Sequence, residues 1–217
     1  MNIDIFKRLP LCLCLAIFLS SCAVKTVPDK SLSVMQAANA AKANTPELCA
    51  YKGRIAVKAL DGSESMSFNA LIDKLCNGDF SATFLGPLNS VIAKMDYIGG
   101  NIDVESHNHE IKNHIRLMGR SYALIVKNYM KSPLMLPDKS FSLSYHKDSY
   151  VFEKDDNKIY ADSSLRLYKY SIDGIEAAYK WGDGFISEAD VSQDDSRVII
   201  RFLGGSSWHG MCEVNGQ

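Results

Sequence analysis

Two spacings of apolar residues divide this chain. From Tyr51 onward the spacing is two. Ile55, Val57 and Ala59 alternate with Arg54, Ala56 and Lys58; Met66, Phe68, Ala70 and Ile72 alternate with Ser67, Asn69 and Leu71. Alternation of this kind marks strands with one buried face. The intervening Asp61-Gly62-Ser63-Glu64 suits a hairpin with a two-residue turn. That turn sets Ile55 against Ala70, Val57 against Phe68 and Ala59 against Met66, so both apolar rows share a face, as a fixed register demands. The same register sets Cys49 opposite Cys76, either as a disulfide or as two buried thiols.

The pattern continues through Phe80, Ala82 and Phe84, through Val91, Ala93, Met95 and Tyr97, and through Ile102 and Val104. Asn77-Gly78, Gly86-Pro87-Leu88-Asn89 and Gly99-Gly100-Asn101 supply the turns, giving a five-stranded meander. The spacing then lengthens to three and four. Ile111, Ile115, Met118, Tyr122, Ile125 and Tyr129 form a helical stripe that ends before Ser132-Pro133. Leu124, Val126 and Met130 widen it, and Gly119 is a candidate break. After Pro137 the strands return: 141–145, 150–153, 158–161, 165–172, 176–181, 185–191 and 197–203. The fold class is therefore mainly β: an incomplete antiparallel β-barrel of about eleven strands, with a helix as plug or lid. Residues 48–203 form this domain, and the Gly- and Ser-rich 204–217 are read as a loose tail.

The N-terminus follows neither spacing. Lys7 and Arg8 precede an eleven-residue apolar run from Leu9 to Leu19, too short for a bilayer that takes about 20 residues in a helix. The run closes on Leu19-Ser20-Ser21-Cys22, small residues before a cysteine, which is the form of a bacterial lipoprotein signal. Residues 1–21 are read as a cleaved signal peptide and Cys22 as the site of lipid attachment, palmitate included. Two or three acyl chains hold a protein stably, at about 0.8 kcal/mol per buried methylene. Ala23 stands where an Asp would signal retention in the inner membrane, so an outer-membrane protein facing the periplasm is expected. Residues 22–47 read as a lipidated tether, either flexible or with one alanine-rich helix over 33–43 capped by Ser33.

Composition narrows the function. Residues 1–21 hold Lys7, Arg8 and Asp4, so their removal leaves 196 residues with 22 basic and 24 acidic side chains. A nearly neutral chain without basic runs gives no footprint for nucleic acid. Catalytic patterns are weak, and no enzyme, cofactor or metal is expected. Gly205-Ser206-Ser207-Trp208-His209 lacks the second glycine of a nucleophile elbow. His107, His109 and His114 match no ligand frame, and Asp155-Asp156 and Asp194-Asp195 sit at turns. Cys212 has no evident partner. The informative stretch is Gly86-Pro87-Leu88-Asn89, where Pro87 favours the second turn position and puts Leu88 at a hairpin tip. Such a leucine is either an ordinary exposed residue or a wedge for membrane or apolar ligand.

Together the Leu19–Cys22 box, Gly53-Arg54-Ile55-Ala56-Val57, the Phe80–Met95 hairpin and the strands around Asp194 to Phe202 resemble the LolB family of outer-membrane lipoprotein receptors. The likeness covers about residues 48–203. It implies a half-closed LolB/LolA-like barrel with an apolar acyl-chain cavity, here lined by Val57, Met66, Phe68, Phe84, Met95, Met118, Tyr122 and Ile125. It also implies a membrane-insertion loop in which Leu88 follows Pro87, with Asn89 in place of the family's glycine. The helical stretch departs from the family, which has two helices separated by a proline-containing loop. The implied partners are a LolA-like periplasmic carrier, acylated lipoprotein cargo and the outer membrane, for a monomer acting as a transport chaperone. Two other readings remain open: an assembly lipoprotein with a filled barrel, and a binder of free lipid or hydrophobic small molecules.

Overall fold

The alternating residues build one continuous antiparallel sheet. A computed structural model describes residues 28–205 and 207–210; residues 1–21 (read above as a signal peptide), Cys22 and Cys212 lie outside the described residues. The first five strands are β1 (Ala50–Asp61), β2 (Glu64–Lys74), β3 (Phe80–Leu85), β4 (Val91–Ile98) and β5 (Asn101–Glu105). Then come β6 (Ser142–His146), β7 (Ser149–Lys154), β8 (Asn157–Ala161), β9 (Leu167–Ile172), β10 (Ile175–Trp181), β11 (Ile186–Gln193), β12 (Ser196–Phe202) and β13 (Ser207–His209). The spatial order is β5-β4-β3-β2-β1-β12-β11-β10-β9-β8-β7-β6, with β13 on β1 beyond the end of β12. Strands β5 and β6 do not pair, so the barrel is unclosed. Among the described residues the sheet has thirteen strands, against an expected count of about eleven.

The β1–β2 register joins Ile55 to Ala70, Val57 to Phe68 and Ala59 to Met66. One apolar row crosses much of the sheet: Leu143, Phe152, Ile159, Tyr170, Ala177, Val191 and Val198 follow one another through paired positions. Burying this face drives the fold, at roughly 25 cal/mol per Å² of apolar surface. Cys49 and Cys76 are disulfide-bonded at the open end of the β1–β2 hairpin, with Cα atoms 4.7 Å apart.

Among the described residues two α-helices pack into the core. α1 (Val34–Asn44) begins at Ser33, whose side chain accepts from the Gln36 amide while the Gln36 side chain accepts from the Ser33 amide, a reciprocal capping box. Ala37, Ala38 and Ala41 are buried in the core. Asp29 N donates to Tyr150 Oη at 2.6 Å, and Leu167 N donates to Thr45 Oγ1 at 3.0 Å. The segment read as tether is thus folded onto the domain from Asp29 onward. The C-terminal stretch differs from expectation in the same way. β13 pairs with Ala50–Lys52, and the Trp208 ring lies 4.9 Å from Tyr51 and 4.8 Å from Phe202.

α2 (His109–Tyr129) is one uninterrupted helix capped by Asn108, whose side chain accepts from the Glu110 and Ile111 amides. Gly119 does not break it. A Cβ there would sit 3.1 Å from Met95 Sδ and 3.7 Å from Ile102 Cδ1, so the glycine lets the helix backbone approach the side chains of β4 and β5. Ile115, Gly119, Ala123 and Val126 form the buried line.

Candidate functional site

Under α2 lies an apolar cavity. Val57 from β1, Phe68 from β2, Phe84 from β3 and Met95 from β4 line the sheet side; Tyr122 and Ile125 are part of the helical roof. Their alternation along the strands and spacing along α2 turn them towards one another. Phe68 centres the group, its ring 5.3 Å from Phe84 and 5.7 Å from Tyr122. Met66 and Met118, expected in the wall, do not line it; Met118 is among the exposed apolar residues, turned away from the buried line of α2.

The cavity is narrow. Its volume is about 30 Å³, far below the roughly 150 Å³ of an engineered cavity that admits benzene. In this conformation it has no room for an acyl chain. The sequence could not show this, because residual volume depends on how side chains from distant strands meet. The Tyr122 hydroxyl is buried there without a hydrogen-bond partner, and burial pushes its pKa up. An unpartnered buried hydroxyl costs about 1–3 kcal/mol.

The 86–89 loop is a rigid tip. Gly86 N donates to Ser90 O at 2.8 Å, and Ser90 donates to Pro87 O through both N (3.1 Å) and Oγ (2.8 Å). Gly86 is needed at its position, since a Cβ would meet Ile92 Cγ2 at 2.7 Å. Leu88 and Asn89 both adopt left-handed backbone, φ 56° and 60°, and Leu88 is fully exposed at the apex. Asn89 Oδ1 accepts from Arg54 Nη2 at 2.9 Å. This link pins the tip to β1 and has no signature in the spacing of the two residues.

Other candidates do not assemble. Among the described residues no group of three His, Cys, Asp or Glu side chains could hold a metal. No helix there is long and apolar enough to cross a membrane. Glu188 accepts from Lys180 (2.6 Å) and Arg201 (2.8 Å), and Asp190 takes both Nε and Nη2 of Arg197; these are surface ion pairs of the strands.

No protein-family model and no curated protein matches the sequence. Among solved structures, the chain is similar to the LolA superfamily protein NE2245 from Nitrosomonas europaea, with TM-score 0.43, 5% identity, 86% of this chain and 98% of that one covered. It is also similar to a domain from Vibrio parahaemolyticus provisionally assigned to outer membrane lipoprotein sorting, with TM-score 0.41, 11% identity and coverage of 82% and 93%. A third is a DUF1329 family protein from Desulfovibrio piger, with TM-score 0.41, 11% identity and coverage of 84% and 94%.

Proposed function

We propose that this chain is an outer-membrane lipoprotein, anchored through Cys22, that accepts acylated lipoproteins from a LolA-like periplasmic carrier. It shelters their acyl chains beneath α2 and releases them into the bilayer, as a monomer and without covalent catalysis. The observation that carries the reading is Leu88: a large apolar side chain, fully exposed, held in a left-handed turn that disfavours leucine. Backbone strain kept in a rigid turn, with no buried surface gained by its side chain, fits a role outside the fold.

The cavity supplies the second half. Tyr122, Ile125 and Val126 belong to its roof, so lifting α2 enlarges it. The unpartnered Tyr122 hydroxyl is a donor for an acyl ester carbonyl. Methionine and aromatic side chains adapt to varied apolar guests, and Met95, Phe68 and Phe84 stand in the wall. Handover needs no nucleotide if each host binds more tightly than the last, at about 1.4 kcal/mol per tenfold step.

The small volume of the cavity favours a second reading, a scaffold lipoprotein with a filled barrel. A handover assay with labelled lipoprotein on its soluble carrier separates the two. Leu88→Glu retains cargo binding and loses delivery to vesicles; normal delivery by that variant overturns the wedge role. Uptake of an environment-sensitive apolar dye by the delipidated protein supports an opening cavity, and failure to take it up supports the scaffold.

A further inference from the structure

The outward side of α2 is basic. The helix holds Lys112, Arg116, Arg120 and Lys127 against Glu110 as its only carboxylate, in a chain of net charge −1. Among the described residues none of these four bases has an ion-pair partner, and no carboxylate other than Glu110 stands on the helix to neutralise them. Lys127 lies over the Tyr97 ring, 6.0 Å from its centre. Beside these bases, Leu117 is 81% exposed and Leu124 49%. A helix that buries one face in its own domain gains nothing from leucines on the other.

This face is continuous with the tip. Ser106, just before α2, donates to Ile92 O at 2.8 Å. Val91, Lys94, His107 and Lys112 line one shallow depression, with Glu105 as its only carboxylate. Val91 is half exposed, next to the Leu88 turn. The surface thus runs from Leu88 past Val91 and Lys112 to Arg116, Leu117, Arg120 and Leu124.

We propose that this surface docks the domain on anionic phospholipid, with Lys112, Arg116 and Arg120 on lipid phosphates, Leu117 and Leu124 in the interfacial layer, and Leu88 entering deepest. Basic residues flanking exposed leucines match the composition of interfacial helices. Each base near an anionic surface strengthens binding severalfold and does so less in salt. The inference rests on the membrane role given above to Leu88, and deepens it by naming the lipid class and the helix that meets it.

The test uses the mature chain with Cys22→Ala, which keeps every described residue of the fold, floated with vesicles of phosphatidylglycerol or of phosphatidylcholine. Salt-sensitive binding to phosphatidylglycerol is expected. Arg116→Glu with Arg120→Glu should weaken it by at least about tenfold, as circular dichroism and unfolding midpoint stay unchanged. Leu117→Ser with Leu124→Ser should weaken binding to a lesser degree. Equal binding to both lipids, or no effect of the Arg116/Arg120 variant, overturns the proposal. So does a variant that binds vesicles normally yet fails to accept cargo, since the face would then serve the carrier protein. If Leu88→Glu delivers cargo normally while the arginine variant loses anionic binding, the tip role fails and the helix face stands.

Discussion

Leu88 and Lys74 both carry side chains in places that cost stability, for different reasons. At Leu88 the cost is in the backbone: the left-handed conformation is unfavourable by roughly 1–2 kcal/mol for an L-residue other than glycine. Leu88→Gly is expected to raise stability by about 1 kcal/mol in urea unfolding while abolishing delivery of cargo; a destabilised variant would mean that the leucine supports the fold. At Lys74 the cost is desolvation. The residue is buried, donates to Cys49 O at 2.6 Å, and has its pKa lowered to about 8 by burial and then by Lys131. Between pH 8 and about 10.4, the unfolded value, the unfolded chain holds a proton that the folded one has shed. Stability therefore rises with pH across that window, by up to about 3 kcal/mol. Urea midpoints at pH 7 and 10 should show this rise in the native chain and lose it in Lys74→Met.

At the scale of elements, alternation and helical spacing locate almost every strand and α2, because one-sided burial writes its period into the residues. The failures share a cause: weak hydrophobic signal at close contacts. α1 enters the core through Ala37, Ala38 and Ala41, residues as common in solvated helices, so its docking was not legible. β13 is three residues long amid glycine and serine, and Trp208 was the one hint. Gly119 reads as a breaker because sequence does not reveal that another strand lies against it. If α1 belongs to the core, Ala41→Leu should cost about 1–3 kcal/mol by overpacking; in a solvated tether it would be neutral. Thermal unfolding of the variant decides between them.

For the whole molecule, the disulfide links Cys49 to Cys76 across 27 positions of sequence. On the chain-entropy account this constraint stabilises by roughly 3–4 kcal/mol. Cys49→Ser with Cys76→Ser is expected to lower the unfolding free energy by about that amount without changing secondary structure by circular dichroism. Of the site, the tip was legible from Pro87 and its turn neighbours, and six of the eight expected wall residues meet beneath α2. Neither the Arg54–Asn89 link nor the narrowness of the cavity was legible, since both depend on contacts between segments far apart in the chain.

A ring of strands has a circumference set by its hydrogen bonds, and widening it means breaking a ladder. Here β5 and β6 are the two ends of the sheet and do not pair, so the wall can flatten with every ladder intact. Growth of the space inside then depends on side-chain contacts and on α2 lifting, not on backbone rupture. On the proposed lipid-carrying role, a bulky guest enters and leaves with the strand registers unchanged.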